Sequence, residues 1–430
     1  MKERFEQISE LISRNQLQEA IDNLQRILKK NPGHVQALGI LAGIAVRAGQ
    51  YSHAERYLRR ALKSNRHDAN LRFQLAECHF LQENYRECVQ HYQAVLKIRP
   101  DNHECRFRLG QALCYLNRLD KAIQQFKNVA DALPEHAEAC RWVSLLSLDM
   151  GKIEDAERYC YQGLKQKPGD IDFLVILAHV LKQKGQLQEA IEHYQQVLSQ
   201  SPQHYDALFH LAMLHKETGQ FDLAEALFIR ASKVRQSVSL CHHIADCQQL
   251  LGRPNAAEMT YKMAFRLDPA SVSTYNNLGN LYKAAGDNEA ACLCFRKGLE
   301  IESGNAVIHS NLANTLNSMG QLEPAMHHFR QAIKYQPDDS ASYTNMGNVL
   351  KNLGLLDEAR KAHEKALMLD PKNTVARSNL LQLNNFFPNL GRKPIFDSHL
   401  DWEAQHGGRE RWLTQEYDWC YAPQGSEGPG

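Results

Sequence analysis

No stretch of this chain approaches the roughly 18 consecutive apolar residues of a membrane span. The charged start, Met-Lys-Glu-Arg, lacks the apolar core of a secretion signal. Net charge is nearly missing as well. Lys and Arg number 50 against 49 Asp and Glu, so global charge gives no argument for nucleic acid. Residues 1–136 carry +6 and the remainder −5, a mild gradient without a basic stripe. The 11 cysteines include no C-x-x-C and no Cys/His pairs at zinc spacing, which argues against a structural metal. Their odd count and the missing signal favour reduced thiols and a cytoplasmic location.

Catalytic motifs are missing too. There is no phosphate-cradling G-x-x-x-x-G-K-[ST], no H-E-x-x-H and no G-x-S-x-G elbow. His103-Glu104 begins like a zinc-protease motif, but Phe107 stands where the second histidine belongs. The adjacent histidines His242/His243 and His327/His328 point apart on a helix, and packing or exposure is the expected role. A non-catalytic protein without metal or cofactor is the expectation.

What is abundant is repetition. Ala20, Ala54, Ala122, Ala156, Ala190, Ala224, Ala257, Ala291, Ala325 and Ala359 recur at intervals of 34, or 33 between Ala224 and Ala257, with Cys88 in the one gap. Four residues after each comes a bulky residue, Tyr92, Phe126, Tyr194, Phe228, Tyr261, Phe295 and Phe329 among them. Glycine falls five residues before, from Gly49 to Gly354, with Asn15 and Asn117 in its stead. Gly and Asn accept the left-handed turn that ends a helix. Proline follows twelve residues after the alanine at Pro32, Pro100, Pro134, Pro168, Pro202, Pro269, Pro337 and Pro371, where it stops a helix. Each unit therefore reads helix A, glycine turn, helix B, proline-marked loop. Small residues in helix A, such as Gly110, Gly279 and Gly347, are expected to seat the helix-B alanine, with the bulky residue filling the gap to the next unit. One hairpin cannot bury its own apolar face, so units must stack.

This pattern resembles the tetratricopeptide repeat (TPR) family. The resemblance implies an all-α, right-handed α-solenoid of about eleven repeats over residues 1–373. Thr374–Asn384 reads as a capping helix. Proline is missing at Arg66, Gln236 and Ser303, where loop geometry is expected to differ.

A second series lies inside helix A. Asn277, Asn311, Asn345 and Asn379 are 34 apart, as are Asn280, Asn314 and Asn348. The two series are three residues apart, hence on one helix face. Asn costs roughly 0.5 kcal/mol or more against Ala in a helix, so its recurrence points to a use. Its amide offers an acceptor and two donors and can pair with any peptide backbone. Helices packed about 8–10 Å apart would meet about every third residue of an extended strand. Lys283, Asn317 and Lys351 lie one turn along. In the first half the equivalent positions hold other residues, from Ile40 to His243.

The N-L-G-N and N-L-A-N sequences at this phase resemble the TPR arm of O-linked N-acetylglucosamine transferase (SPINDLY-like) proteins. That resemblance implies an asparagine ladder holding a polypeptide on the concave face. The dicarboxylate clamp of chaperone-binding TPR proteins needs Lys and Arg here, whereas Asn276, Ala341 and Asn345 occupy its places. Residues 385–424 are aromatic-rich, with Trp402, Trp412 and Trp419. Short helices are expected there, and a disordered end over 425–430. Ile395 to His406 resembles the connector to those enzymes' catalytic part, and only 24 residues follow, so the chain reads as that arm without its enzyme. The leading expectation is a scaffold that binds an extended protein segment, without nucleic acid or membrane. The alternatives are the recognition arm of a truncated or split glycosyltransferase, or a self-associating homo-oligomeric scaffold.

Overall fold

The computed structural model describes residues 2–384, so expectations for the aromatic connector and the tail lie outside the described residues. The helices are α1 (Lys2–Ser13), α2 (Leu17–Lys30), α3 (Val35–Arg47), α4 (Tyr51–Ser64), α5 (Ala69–Leu81), α6 (Tyr85–Ile98), α7 (His103–Tyr115), α8 (Leu119–Ala132), α9 (Ala137–Asp149), α10 (Ile153–Gln166), α11 (Ile171–Gln183) and α12 (Leu187–Gln200). There follow α13 (Tyr205–Glu217), α14 (Phe221–Val234), α15 (Val238–Leu250), α16 (Pro254–Leu267), α17 (Val272–Ala284), α18 (Asn288–Ile301), α19 (Ala306–Ser318), α20 (Leu322–Tyr335), α21 (Ser340–Asn352), α22 (Leu356–Leu369) and α23 (Thr374–Asn384). No strand occurs among the described residues. The chain divides into two compact units, Met1–Thr218 and Gly219–Gly430. Within each, every helix packs on the next, the arrangement of an all-α solenoid.

Odd-numbered helices from α3 to α21 are the helices A, and even-numbered helices from α2 to α22 are the helices B. The former all have 13 residues and the latter all have 14. Helix B keeps that length where proline is missing, ending at Ser64, Val234 and Ile301. What starts each helix A is a cap: the side chains of His34, Asp68, Asn102, His136, Asp170, His204, Ser237, Ser271, Asn305 and Asp339 each accept from an amide two or three residues on. Such a cap contributes about 1 kcal/mol. With both ends of the loop fixed, proline is dispensable. The one missing residue of the 33-residue repeat is taken from this loop, which runs 235–237 instead of the usual four.

The helix-A-to-B turn has positive φ at eight glycines from Gly49 to Gly354, at Asn15 (60°) and Asn117 (54°), and at Glu83 (61°). Glu83 fills the third repeat's turn without the glycine that the left-handed region favours.

The expected seating of the small helix-A residue needs correction. A Cβ on Gly279 would lie 2.6 Å from Phe295 Cε1, one on Gly110 2.7 Å from Phe126 Cε1, and one on Gly347 2.6 Å from His363 Cε1. The notch receives the ring of its own hairpin, not the alanine methyl, because a ring has the reach to cross to the facing helix. As expected, the rings also reach the next unit, Phe126 lying on Trp142 and Phe228 on His243; lower on helix B, Gly163 meets Phe173 and Gly298 meets Ile308. The rings of Tyr92, Phe126, Tyr194, Phe228, Tyr261, Phe295 and Phe329 are wholly buried. Burial of one such side chain stabilises by about 1.5–3 kcal/mol.

Candidate peptide-binding face

The asparagines of the second unit are placed by capping. Asn277, Asn311, Asn345 and Asn379 each stand six residues after the residue that starts their helix: Ser271, Asn305, Asp339 and Asn373. Those residues accept from the amides of Thr274 (3.3 Å), Ile308 (3.1 Å), Ser342 (3.1 Å) and Ala376 (2.9 Å). A constant distance from the cap gives each asparagine the same azimuth. In this unit successive helices A, from α15 through α17, α19 and α21 to α23, approach one another, while successive helices B approach less. The crowded side is therefore the helix-A side.

Part of the row is bonded to itself. Asn311 Nδ2 donates to Asn276 Oδ1 at 2.8 Å, and Asn276 Nδ2 to Asn277 Oδ1 at 3.4 Å. Asn379 Nδ2 donates to Asn348 Oδ1 at 2.9 Å. Asn276 thus belongs to the row, although a strict 34-residue period passes it over; its bond to Asn311 spans 35 residues. The one available signal is the Asn276-Asn277 doublet. Beside it a cleft of about 470 Å³ opens between the starts of α17 and α19, lined in part by Ser273, Asn276 and Asn305.

The remaining members are unspent. Asn280 is exposed, and Asn314 and Asn345 are half-buried. Asn317 Oδ1 is buried without a hydrogen-bond partner, a state that native structures rarely leave unmet. Lys283 is half-buried, and burial lowers its pKa. Lys351 lies near enough to His363 to help hold that imidazole down, after burial, to about 4.

Of the paired histidines weighed from sequence, His327 is exposed and the other three make internal contacts. His309 Nε2 lies 3.0 Å from the Ser303 carbonyl and its Nδ1 3.0 Å from His328 Nδ1. His309 therefore donates to the carbonyl and accepts from His328. His242 Nε2 meets Thr274 Oγ1 at 2.9 Å, and His243 stacks on Phe228. Burial pushes the Cys294 thiol up to about 11 and raises that of Cys292, so neither is a ready nucleophile. Among the described residues no group of three or more His, Cys, Asp or Glu is placed to hold a metal. Nor is any helix among them long and apolar enough to cross a membrane.

Comparison with known proteins gives four family matches. Tetratricopeptide repeat models match residues 11–72 and 107–171. The model of anaphase-promoting complex, cyclosome, subunit 3 matches residues 47–129, and that of the cilia and flagella-associated protein 70 C-terminal domain matches residues 170–369. The Protein CTR9 homolog of Arabidopsis thaliana is 24% identical over 172 residues, 38% of this chain and 16% of the relative. The chain thus spans about a sixth of the length of that curated relative. Among solved structures, yeast Tom70 is 15% identical with a TM-score of 0.47, over 86% of this chain and 91% of that one. The Cut9–Hcn1 hetero-tetramer of the APC/C is 13% identical with a TM-score of 0.41, over 87% of this chain and 95% of that one. The fixed helix lengths, the seated rings and the two repeat-model matches lead to one conclusion: the described residues form an all-α solenoid that contains tetratricopeptide repeats.

Proposed function

We propose that this protein is an interaction scaffold whose second unit holds an extended polypeptide along the helix-A side through the asparagine row. The observation that carries the reading is the set of amides left over. Asn280, Asn314 and Asn345 make no side-chain hydrogen bond among the described residues, and Asn317 Oδ1 is buried unpaired. Backbone amides and carbonyls of a bound strand would satisfy them, whatever side chains the strand carried. The bonded pairs Asn311–Asn276 and Asn379–Asn348 would hold their neighbours in orientation, and Lys283 and Lys351 would lie beside the strand. A cytoplasmic site of action fits the same reading.

The test is capture of partners on immobilised chain, followed by affinity measurement with the Asn280→Ala/Asn314→Ala/Asn317→Ala/Asn345→Ala variant. Loss of about one hydrogen bond per site at roughly 1 kcal/mol each predicts weakening of at least a hundredfold. Unchanged affinity would remove the row from the mechanism. A second reading, recognition arm of a glycosyltransferase, rests on the N-L-G-N and N-L-A-N sequences; absence of a catalytic partner and of nucleotide-sugar binding by calorimetry would end it. Self-association, the third, is read by light scattering with and without residues 385–430.

A further inference from the structure

The helices B of the second unit carry a second surface, independent of the asparagine row. Offsets of two, five, six, nine and ten residues from the helix-B alanine lie, at about 100° per residue, opposite the buried stripe. On α16 these positions hold Met259, Lys262, Met263, Arg266 and Leu267, all exposed, with Met259 at 68% and Met263 at 54%. On α18 they include Leu293 at 55%, Arg296, Lys297 and Ile301, again all exposed. The neighbours repeat the chemistry: Ile229, Lys233 and Val234 on α14, and Arg330, Lys334 and Tyr335 on α20 are exposed. Acids at these offsets reduce to Glu300. Glu258, on the flank of α16, pairs with Lys262 at 2.7 Å and leaves Arg266, Arg296 and Lys297 as cations without an ion pair among the described residues. Other acids gather in the first turns, at Asp222, Glu289 and Glu323, where a helix N-terminus favours them. On α12, by contrast, the same offsets hold Glu192, Gln195, Gln196, Ser199 and Gln200.

Exposed Met and Leu interleaved with cations on neighbouring helices are not explained by folding, since they touch no core. Singly scattered apolar residues are ordinary, but contiguous ones mark interaction sites, and methionine suits adaptable protein contacts. A lipid surface asks for an apolar ridge flanked by cations. Here cation and apolar side chain alternate along one stripe, Met259, Lys262, Met263, Arg266, Leu267, which matches a partner carrying both acids and Leu. We infer that the outward face of α14, α16, α18 and α20 docks an acidic amphipathic helix of a partner protein.

The full chain would be titrated with a fluorescent 21-residue helical peptide of alternating Glu and Leu pairs, with polyglutamate of equal charge, and with phosphatidylcholine/phosphatidylserine vesicles. Saturable, salt-sensitive binding of the Glu/Leu peptide is expected. It should weaken at least tenfold in Met259→Glu/Met263→Glu and in Arg296→Glu/Lys297→Glu, and remain unchanged in Gln195→Glu/Gln196→Glu on α12. Leu293→Gln, a milder change at an exposed position, gives a second reading should a double variant lose helicity. No peptide binding, equal affinity in the α16 and α18 double variants and Leu293→Gln, polyglutamate binding as tight as the mixed peptide, or binding to vesicles alone would each overturn the assignment.

Discussion

One position, six residues after each helix-A cap, separates the two units. In the first it holds Ile40, Gln74, Arg108, Trp142, Ile176 and His210; in the second it holds His243 and then Asn277, Asn311, Asn345 and Asn379. Where the residue is a ring, it lies on the aromatic of the preceding hairpin. Trp142 stacks on Phe126 with centroids 5.4 Å apart, His210 on Tyr194 at 6.2 Å, and His243 on Phe228 at 5.2 Å. Arg108 instead pairs with Glu77 and Glu104. These residues complete the joint between hairpins. The asparagines at the same place are shorter and polar: Asn311 and Asn379 donate to Asn276 and Asn348 of the preceding hairpin, and Asn345 is left without a side-chain partner among the described residues. The comparison teaches that a repeat can hold its backbone constant and exchange a stacked ring for a hydrogen-bonding amide by changing a single side chain.

The largest test of this contrast is a pair of substitutions. Trp142→Asn removes a stacked ring and should cost about 2–3 kcal/mol. Asn345→Ala should change stability by less than about 0.5 kcal/mol, since Asn345 has no partner to lose and Ala is the better helix former. Urea unfolding of both variants decides; similar costs would erase the distinction between joint and face.

Next comes the last hairpin. His363 sits where other hairpins with a glycine notch carry Phe126 or Phe295, fully buried with neither ring nitrogen hydrogen-bonded. His363→Phe should stabilise by about 1–2 kcal/mol at neutral pH, because an unsatisfied buried polar group is removed. It should also reduce acid sensitivity. Burial holds His91 and His179 in the first unit, and His328 and His363 in the second, down to about 4 from an ordinary 6.5. The unfolded chain therefore takes up protons before the folded one does. Stability is complete above about pH 6.5 and falls as the pH drops toward 4, by about 1 kcal/mol per histidine at pH 5 after allowance for solvent screening. Urea midpoints at pH 7.5 and pH 5 measure this in wild type and His363→Phe; an equal acid loss in both would clear His363 of the effect.

The smallest change is Glu83→Gly. Relief of the left-handed strain should add about 0.5–1 kcal/mol, whereas Gly286→Glu, at the matching turn of the second unit with φ 83°, should lose a similar amount. Thermal melts distinguish the two.

The 34-residue period, the alternation of helix and turn, and the phase of the asparagines were all legible from residue spacing, because 3.6-residue periodicity and turn chemistry are local. The caps repeat as regularly as the alanines, yet His34, Asp68, Asn102 and Ser271 differ in chemistry and share only an acceptor atom. No single residue type therefore marks the cap along the chain. The seating of Phe295 against Gly279 rather than beyond it could not be read from spacing, since it depends on how far two helices slide past each other. The same holds for Asn276, whose bond to Asn311 runs between neighbouring helices one residue off the period.

The amino-acid sequence by itself therefore determined the repeat, its length and its helix pairs, through backbone preferences that act within a few residues. Tertiary structure alone decided which of the repeated side chains meet each other and which are left facing out. It also turned a chain of nearly zero net charge, with no basic run, into one whose outward helix faces carry Lys262, Arg266, Arg296 and Lys297 among exposed Met and Leu. The physical reason is the same in both cases. Contacts across repeats are set by the azimuth and offset of packed helices, and these become definite only when the hairpins stack.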